Sequence, residues 1–243
     1  MKGINKEFLG IYSIFCSSIH RFGTDAVLLN YFANVNRSKY ACDLGTGCGI
    51  IPFLMLQDNK NIKVAAVDIQ SDAISLVKSA VELNNAAENI FPLNYDLKQL
   101  PEKMKCSFDL VTMNPPYKRF GSGKITGIDG IDIARNEIKC TLSDICKAAY
   151  SILVPNGRFC MCQRPERMGE VIFEMKSAGI EPKTIRNVVN KAGDKPMLVL
   201  ISGIKDGKIG NDLLPDLILK NADGTDTDEV IKIYKIMRGK ENG

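Results

Sequence analysis

Residues 39–68 carry the pattern that most restricts the possible folds. KYACDLGTGCG is followed by the apolar run IIPFLMLQ and then by KVAAVD. The outer segments are short runs of β-branched and small residues, as in strands buried on both faces, and the glycines fall where the first strand turns into a helix. The pattern continues beyond Asp68. SDAISLVKSAVELNNA has helical spacing with Ser71 as candidate cap, FPLNYD is a short strand, and SFDLVTMNPPY is a strand ending in a Pro-Pro turn. Alternation at this spacing predicts βαβ units and a mainly parallel α/β sheet.

The flanks complete this layout. From Thr24, a candidate N-cap, Val27, Leu28, Tyr31, Phe32 and Val35 recur with the period of an amphipathic helix. Lys118 to Arg135 has four glycines, four basic residues and no period, which suggests a lid. LSDICKAAYSIL is then a helix with Ser143 as candidate cap, PNG a turn and RFCMCQ a strand. PERMGEVIFEMKSAG is a helix with Pro165 at its start and Gly179 past its end. TIRNVVN and MLVLISGI read as an antiparallel hairpin joined by KAGDKP. The expected division is a main domain over 1–204, including a short N-terminal substrate and cofactor segment, and an extension over 205–243 packed on or beside it. The final run TDTDEVIKIYKIMRG has acids early and bases late, complementing a helix dipole. Its lysines are candidates for holding a polyanion.

Composition removes other classes. With 45% hydrophobic and 25% charged residues the chain reads as an ordinary globular protein. The balance of 32 basic against 28 acidic residues, net +4, permits a nucleic-acid partner without requiring one. The eight cysteines contain no CxxC pair; Cys160 and Cys162 would share one strand face without zinc spacing, so no metal is expected and a reduced, cytoplasmic protein is. His20 is the sole histidine, which removes most Ser-His and Cys-His schemes. Phe8 to Cys16 imitates a signal-peptide core, but no A-x-A-like cleavage site follows and no run spans a bilayer, so no membrane association is expected.

The chemistry concentrates at strand ends. Asp43, Gly45, Thr46, Gly47 and Gly49 form D-x-G-x-G-x-G, where glycines allow close backbone approach and positive φ. Asp68 ends the next strand, nineteen residues past Gly49, where a carboxylate can accept hydrogen bonds from both hydroxyls of a ribose; a turn or capping role is the simpler alternative. The loop resembles the cofactor loop of class I S-adenosylmethionine-dependent methyltransferases. That resemblance implies a Rossmann-like, seven-stranded sheet with an antiparallel C-terminal hairpin, and S-adenosyl-L-methionine as cofactor. Ile69 would lie beside Asp68, and Asp96 with Leu97, ending the third strand, would meet the adenine of the cofactor.

Asn114-Pro115-Pro116-Tyr117 ends the fourth strand and resembles the NPPY signature of methyltransferases that modify a planar amino group, in adenine or glutamine. Such a nitrogen is a poor nucleophile because its lone pair is delocalised. The Asn114 carboxamide oxygen and the Pro115 carbonyl would accept its two hydrogens and stabilise the charge developing on it, Asn114 also bordering the cofactor. Pro116 would stiffen the turn, and Tyr117 would stack on the target ring.

The stretches His20-Arg21-Phe22-Gly23-Thr24-Asp25, Ala134-Arg135-Asn136-Glu137 and Arg164-Pro165-Glu166-Arg167 resemble the bacterial tRNA1(Val) (adenine(37)-N(6))-methyltransferase family, as does the order of elements over nearly the whole chain. The resemblance implies a tRNA partner and methylation of the adenine beside the anticodon. Phe22, Thr24 and Asp25 would then cover the methionine end of the cofactor, and Arg135 and Arg164 would sit near the substrate mouth, with Lys118 and Arg119 also meeting substrate. Lys183, Arg186, Lys191 and Lys195 are either an RNA path or solvated charge. Two alternatives remain at this level: a protein-glutamine N(5)-methyltransferase, whose usual helical N-terminal domain would have to fit in the 42 residues before Asp43, and a non-catalytic RNA-binding module with the same fold.

Overall fold

The computed structural model describes residues 4–115 and 140–238. In chain order the regular elements are β1 (Asn5–Leu9), β2 (Tyr12–Cys16), α1 (Thr24–Ala33), β3 (Tyr40–Leu44), α2 (Ile50–Asp58), β4 (Lys63–Asp68), α3 (Ser71–Leu83), β5 (Ile90–Asn94) and β6 (Phe108–Met113). There follow α4 (Leu142–Ile152), β7 (Leu153–Gln163), α5 (Met168–Ser177), β8 (Ile180–Val189), β9 (Leu198–Lys205), β10 (Asp212–Leu213), β11 (Leu217–Ile218) and α6 (Asp228–Arg238).

The main sheet runs in the order β5-β4-β3-β6-β7-β9-β8-β10, with β11 also on β8. β3 to β7 are mutually parallel, and β9 lies antiparallel between β7 and β8. Seven of these strands match the expected sheet. The tail adds two short ones, because β8 would otherwise present an edge of unpaired backbone groups. β10 and β11 pair with it in parallel, Asp212 opposite Thr184 and Leu217 opposite Val188. Pro215, which has no N–H to give, falls between the two pieces.

Strand residues alternate between two cores. Ala41, Val64, Leu110, Cys160 and Cys162 face α1, α2, α3 and α6, while Cys42, Val67, Val111, Phe159 and Met161 face α4 and α5. α2 is buried from Ile50 to Leu56, which explains its uniformly apolar sequence: the sheet, α1 and the β1–β2 hairpin enclose it. α3, exposed on one side, keeps a periodic pattern with Ile74, Val77 and Val81 inward.

Three expected caps differ. α1 starts at Thr24 with Gly23 in the cap position, and α3 starts at Ser71 with Gln70 there. α4 is capped by Thr141 and not Ser143: its side chain accepts from the Asp144 N–H while the Asp144 carboxylate accepts from the Thr141 N–H, a reciprocal capping box. A cap must have extended backbone and stand three residues before its partner, which Thr141 satisfies.

The apolar segment from Phe8 belongs to β1 and β2, joined by a two-residue turn with Gly10 at φ +58°. No helix among the described residues is long and apolar enough to cross a membrane. Leu9 and Ile14 are buried and the Tyr12 ring packs on Phe53 at 5.6 Å. The Asn84 carboxamide at the end of α3 accepts from the Ser13 N–H at 2.9 Å and donates to the Ser13 carbonyl at 2.6 Å. Each such bond contributes about 0.5–1.5 kcal/mol. Asn84→Ala should therefore cost about 1–3 kcal/mol in urea unfolding and speed proteolytic cleavage within residues 4–16; unchanged stability and cleavage would show that the hairpin docks through its apolar face alone.

Candidate active site

β3 and β6 are neighbours from which the chain departs in opposite directions, β4 and β5 to one side and β7 to the other. The crossovers leave the carboxyl ends of this pair uncovered, the position where open α/β sheets accept ligands. A cavity of about 490 Å³ lies there. Its wall is built from the ends of β3, β4 and β6, the turn after β5, and the segment leading into α1.

The β3 end contributes the glycine loop. Gly47 at φ +55° has open space where a Cβ would stand, so its backbone faces the cavity bare. Gly49, at φ +82° before α2, serves packing instead, since a Cβ there would meet Val77 at 3.1 Å and its absence lets α2 and α3 approach. Asp68 holds the loop in place. One carboxylate oxygen accepts the Gly47 N–H at 2.9 Å and the other the Gln70 N–H at 3.0 Å, tying the loop to the start of α3. Burial raises the pKa of this carboxyl, against the pull of those two N–H groups.

Asp43 lies deeper, 1% exposed, and its Oδ1 accepts the Thr112 hydroxyl at 2.7 Å across the β3–β6 pair. Burial pushes its carboxyl up from 3.8 to about 7, with the Thr112 bond opposing the shift. At the end of β6, Asn114 and Pro115 reach the same cavity. The Asn114 Oδ1 accepts a hydrogen bond from the Cys162 thiol of β7 at 3.0 Å. Asp96 and Leu97 line the wall beyond β5, and Asp96 also caps a short 3₁₀ turn by accepting the Lys98 N–H.

Among the expected site residues, Phe22, Asp25, Asp43, Gly45, Thr46, Gly47, Asp68, Ile69, Asp96, Leu97, Asn114, Pro115 and Arg164 border this one cavity. Thr24 and Gly49 do not: Thr24 is exposed on the first turn of α1, and Gly49 is buried under α3. Pro116, Tyr117, Lys118, Arg119, Arg135 and the expected lid lie outside the described residues. The Arg164 guanidinium is steadied at the mouth by the Met197 carbonyl at 3.0 Å. Of the four basic residues near the hairpin, three bind the tail. Lys183 donates to the Lys208 and Gly210 carbonyls, Arg186 forks onto Glu229 at 2.7 and 2.8 Å, and Lys191 donates to the Ala222 carbonyl.

His20, for which the sequence leaves open a contact at the mouth of the site and a merely tolerated residue, belongs to the wall. It is buried, with Nε2 at 3.2 Å from the Asp72 carboxylate, which pins the segment before α1 to the first turn of α3. Tyr95 of the wall and Cys162, which bonds Asn114 from β7, were missed, since neither carries a motif.

The Asp43 carboxyl sets a pH dependence. Between roughly pH 4 and pH 7 the folded chain holds a proton that the unfolded chain has released, so this group's contribution to stability falls as pH rises, by on the order of 4 kcal/mol in total. Asp43→Asn should flatten that part of the profile in urea unfolding from about pH 4 to 8; an unchanged slope would show that the carboxyl is ionised throughout.

Comparison with known proteins gives a consistent picture. The family model for the methyltransferase small domain matches residues 6–175. The tRNA1(Val) (adenine(37)-N6)-methyltransferase of Histophilus somni strain 129Pt is 28% identical over 187 residues, 75% of each chain. That of Haemophilus influenzae strain Rd is 27% identical over 219 residues, 88% of this chain and 90% of the relative. In fold, a predicted O-methyltransferase from Agrobacterium tumefaciens superposes with a TM-score of 0.70 at 20% identity, covering 88% of this chain and 97% of the other. With its glycine loop, buried Asp43 and Asn-Pro strand end gathered at one switch point, the chain belongs to the methyltransferase small domain family.

Proposed function

We propose that the protein transfers a methyl group from S-adenosylmethionine to the exocyclic amine of an adenine in tRNA, beside the anticodon. The observation that carries this reading is the meeting of Asn114 and Pro115 with the Asp68-braced glycine loop in one cavity. The names of the relatives above support the choice of tRNA, and of adenine over glutamine.

The residues fit the cofactor. A volume of about 490 Å³ lies within the range of roughly 300–1,000 Å³ common for small-molecule sites. Gly47 leaves its backbone approachable. Each Asp68 oxygen uses one lone pair on the N–H groups above and keeps another for a ribose hydroxyl. Asp96, on the cavity wall, would accept the adenine amine, and Leu97 beside it would give that end an apolar wall. Phe22 and Asp25, from the segment leading into α1, also line the cavity and would cover the methionine end of the cofactor.

When bound, S-adenosylmethionine supplies an electrophilic methyl on a sulfonium. The chain's own work is then to hold the amine. The Asn114 Oδ1 and the Pro115 carbonyl accept its two hydrogens, which turns the nitrogen lone pair toward the methyl and stabilises the positive charge growing on nitrogen. The surplus proton passes to water once the amine is methylated, so no side chain needs a pKa tuned for that step. Tyr117 is assigned the stacking platform, and Lys118, Arg119, Arg135 and Arg164 the phosphates and sugars around the target base. An adenine in an anticodon loop is already partly unstacked and enters such a pocket at low cost.

The test is transfer of labelled methyl from S-adenosylmethionine to total bacterial tRNA, followed by nucleoside analysis. N(6)-methyladenosine is expected, and label in protein or in other RNA alone would overturn the choice of substrate. Asn114→Ala should lower turnover about 100-fold or more while leaving cofactor affinity near that of the unaltered protein. Near-normal turnover in that variant would remove Asn114 from the mechanism.

A further inference from the structure

Cys162 is fully buried on β7, and its side chain faces the α1 side of the sheet, as does that of Cys160 two residues earlier. The Sγ of Cys162 stands 3.0 Å from the Asn114 Oδ1. The two residues are far apart in sequence and meet only because β7 pairs in parallel with β6, Met161 opposite Met113, so that the strand ends rise side by side into the cavity wall.

We infer that Cys162 is a positioning residue for Asn114, fixing through its thiol hydrogen bond which end of the carboxamide serves the methyl-accepting amine. The inference rests on the functional reading above, in which Asn114 accepts a hydrogen of that amine. A carboxamide has two ends of nearly equal size and opposite hydrogen-bonding character, an acceptor oxygen and a donor NH₂. Only the oxygen can serve a substrate amine. A half-turn about the terminal bond would set NH₂ hydrogens against the amine hydrogens and against a sulfur that accepts only weakly. The thiol hydrogen bond is kept in one orientation and lost in the other. A thiol is also a weak donor, so it orients the oxygen while drawing little on the basicity with which that atom would meet the substrate. The fully buried strand position of Cys162 limits its own rotation, so it acts as a fixed reference.

Two measurements test this with Cys162→Ala, Cys162→Ser and Cys160→Ala. In protein with ¹⁵N-labelled asparagine, the Asn114 side-chain resonances, assigned by their loss in Asn114→Ala, should shift or broaden in Cys162→Ala, return toward their original positions in Cys162→Ser, and stay put in Cys160→Ala. Turnover on tRNA should fall about threefold to tenfold in Cys162→Ala, the effect of one modest hydrogen bond. The KM for tRNA and the calorimetric affinity for S-adenosylmethionine should stay within about twofold, and Cys162→Ser should recover most of the turnover. Cys160→Ala empties a similar volume on the same strand face without touching Asn114, so equal losses in both alanine variants would reduce Cys162 to packing and overturn the inference. Unmoved Asn114 resonances in Cys162→Ala would overturn it as well. Failure of the unaltered protein to methylate tRNA would count against the substrate reading alone, since the resonances decide the role of Cys162 without turnover. If Cys162→Ala does not fold, Cys162→Val, which fills the space without a donor, takes its place with the same expected shifts and losses.

Discussion

The hydrogen bond from Thr112 to Asp43 joins β6 to β3 along the line where the chain reverses its direction of travel across the sheet. Everything else at the site follows from that reversal. Crossovers to β4 and β5 bring α2 and α3 onto one face, and those on the other side bring α4 and α5 onto the opposite face. No helix can then cover the carboxyl ends of β3 and β6, and a crevice opens above them. Asp43 stands at its floor, sealed enough that ionisation is costly, and Asn114 at its rim.

Above that floor the wall is held largely by the backbone. Asp68 clamps Gly47 to the start of α3 with two N–H contacts, Gly49 lets α2 close against Val77, and the Thr46 N–H bonds the Val67 carbonyl at 2.9 Å. These bonds are made before any ligand arrives, so the loop needs little reordering on binding. The segment before α1 is fastened in a different way, through the buried His20 on Asp72. One side of the cavity is thus built on strand ends and the other on a strap pinned to a helix.

The tail solves the problem of the open β8 edge. β10 and β11 satisfy part of that edge, and Lys183, Arg186 and Lys191 hold the flanking chain by its carbonyls and by Glu229. Val230 and Ile233 bury their side chains in the core that α1 and α2 share. Three basic residues that look available for a polyanion when read along the chain are thereby committed to the protein's own fold.

Periodicity was enough to reveal the α/β class, the order of elements from α1 to β9, and the C-terminal hairpin, because a strand buried on both faces and an amphipathic helix leave different spacings; β1, β2, β10 and β11 went unread. The glycine loop, Asp68 and Asn114 were legible for the same local reason: each is a residue type that a strand end needs for a particular backbone shape or hydrogen bond. Thr141 was missed as a cap because Ser143, two residues on, offers the same side-chain chemistry, and only backbone geometry chose between them. The contacts of His20 with Asp72, of Cys162 with Asn114 and of Arg186 with Glu229 join residues 52, 48 and 43 positions apart. No local pattern encodes such pairs. By itself the sequence determined the elements from α1 to β9 and which strand ends carry chemistry; the tertiary structure decided the short flanking strands and which of those ends meet, since strand pairing and helix packing set distances that spacing along the chain does not contain.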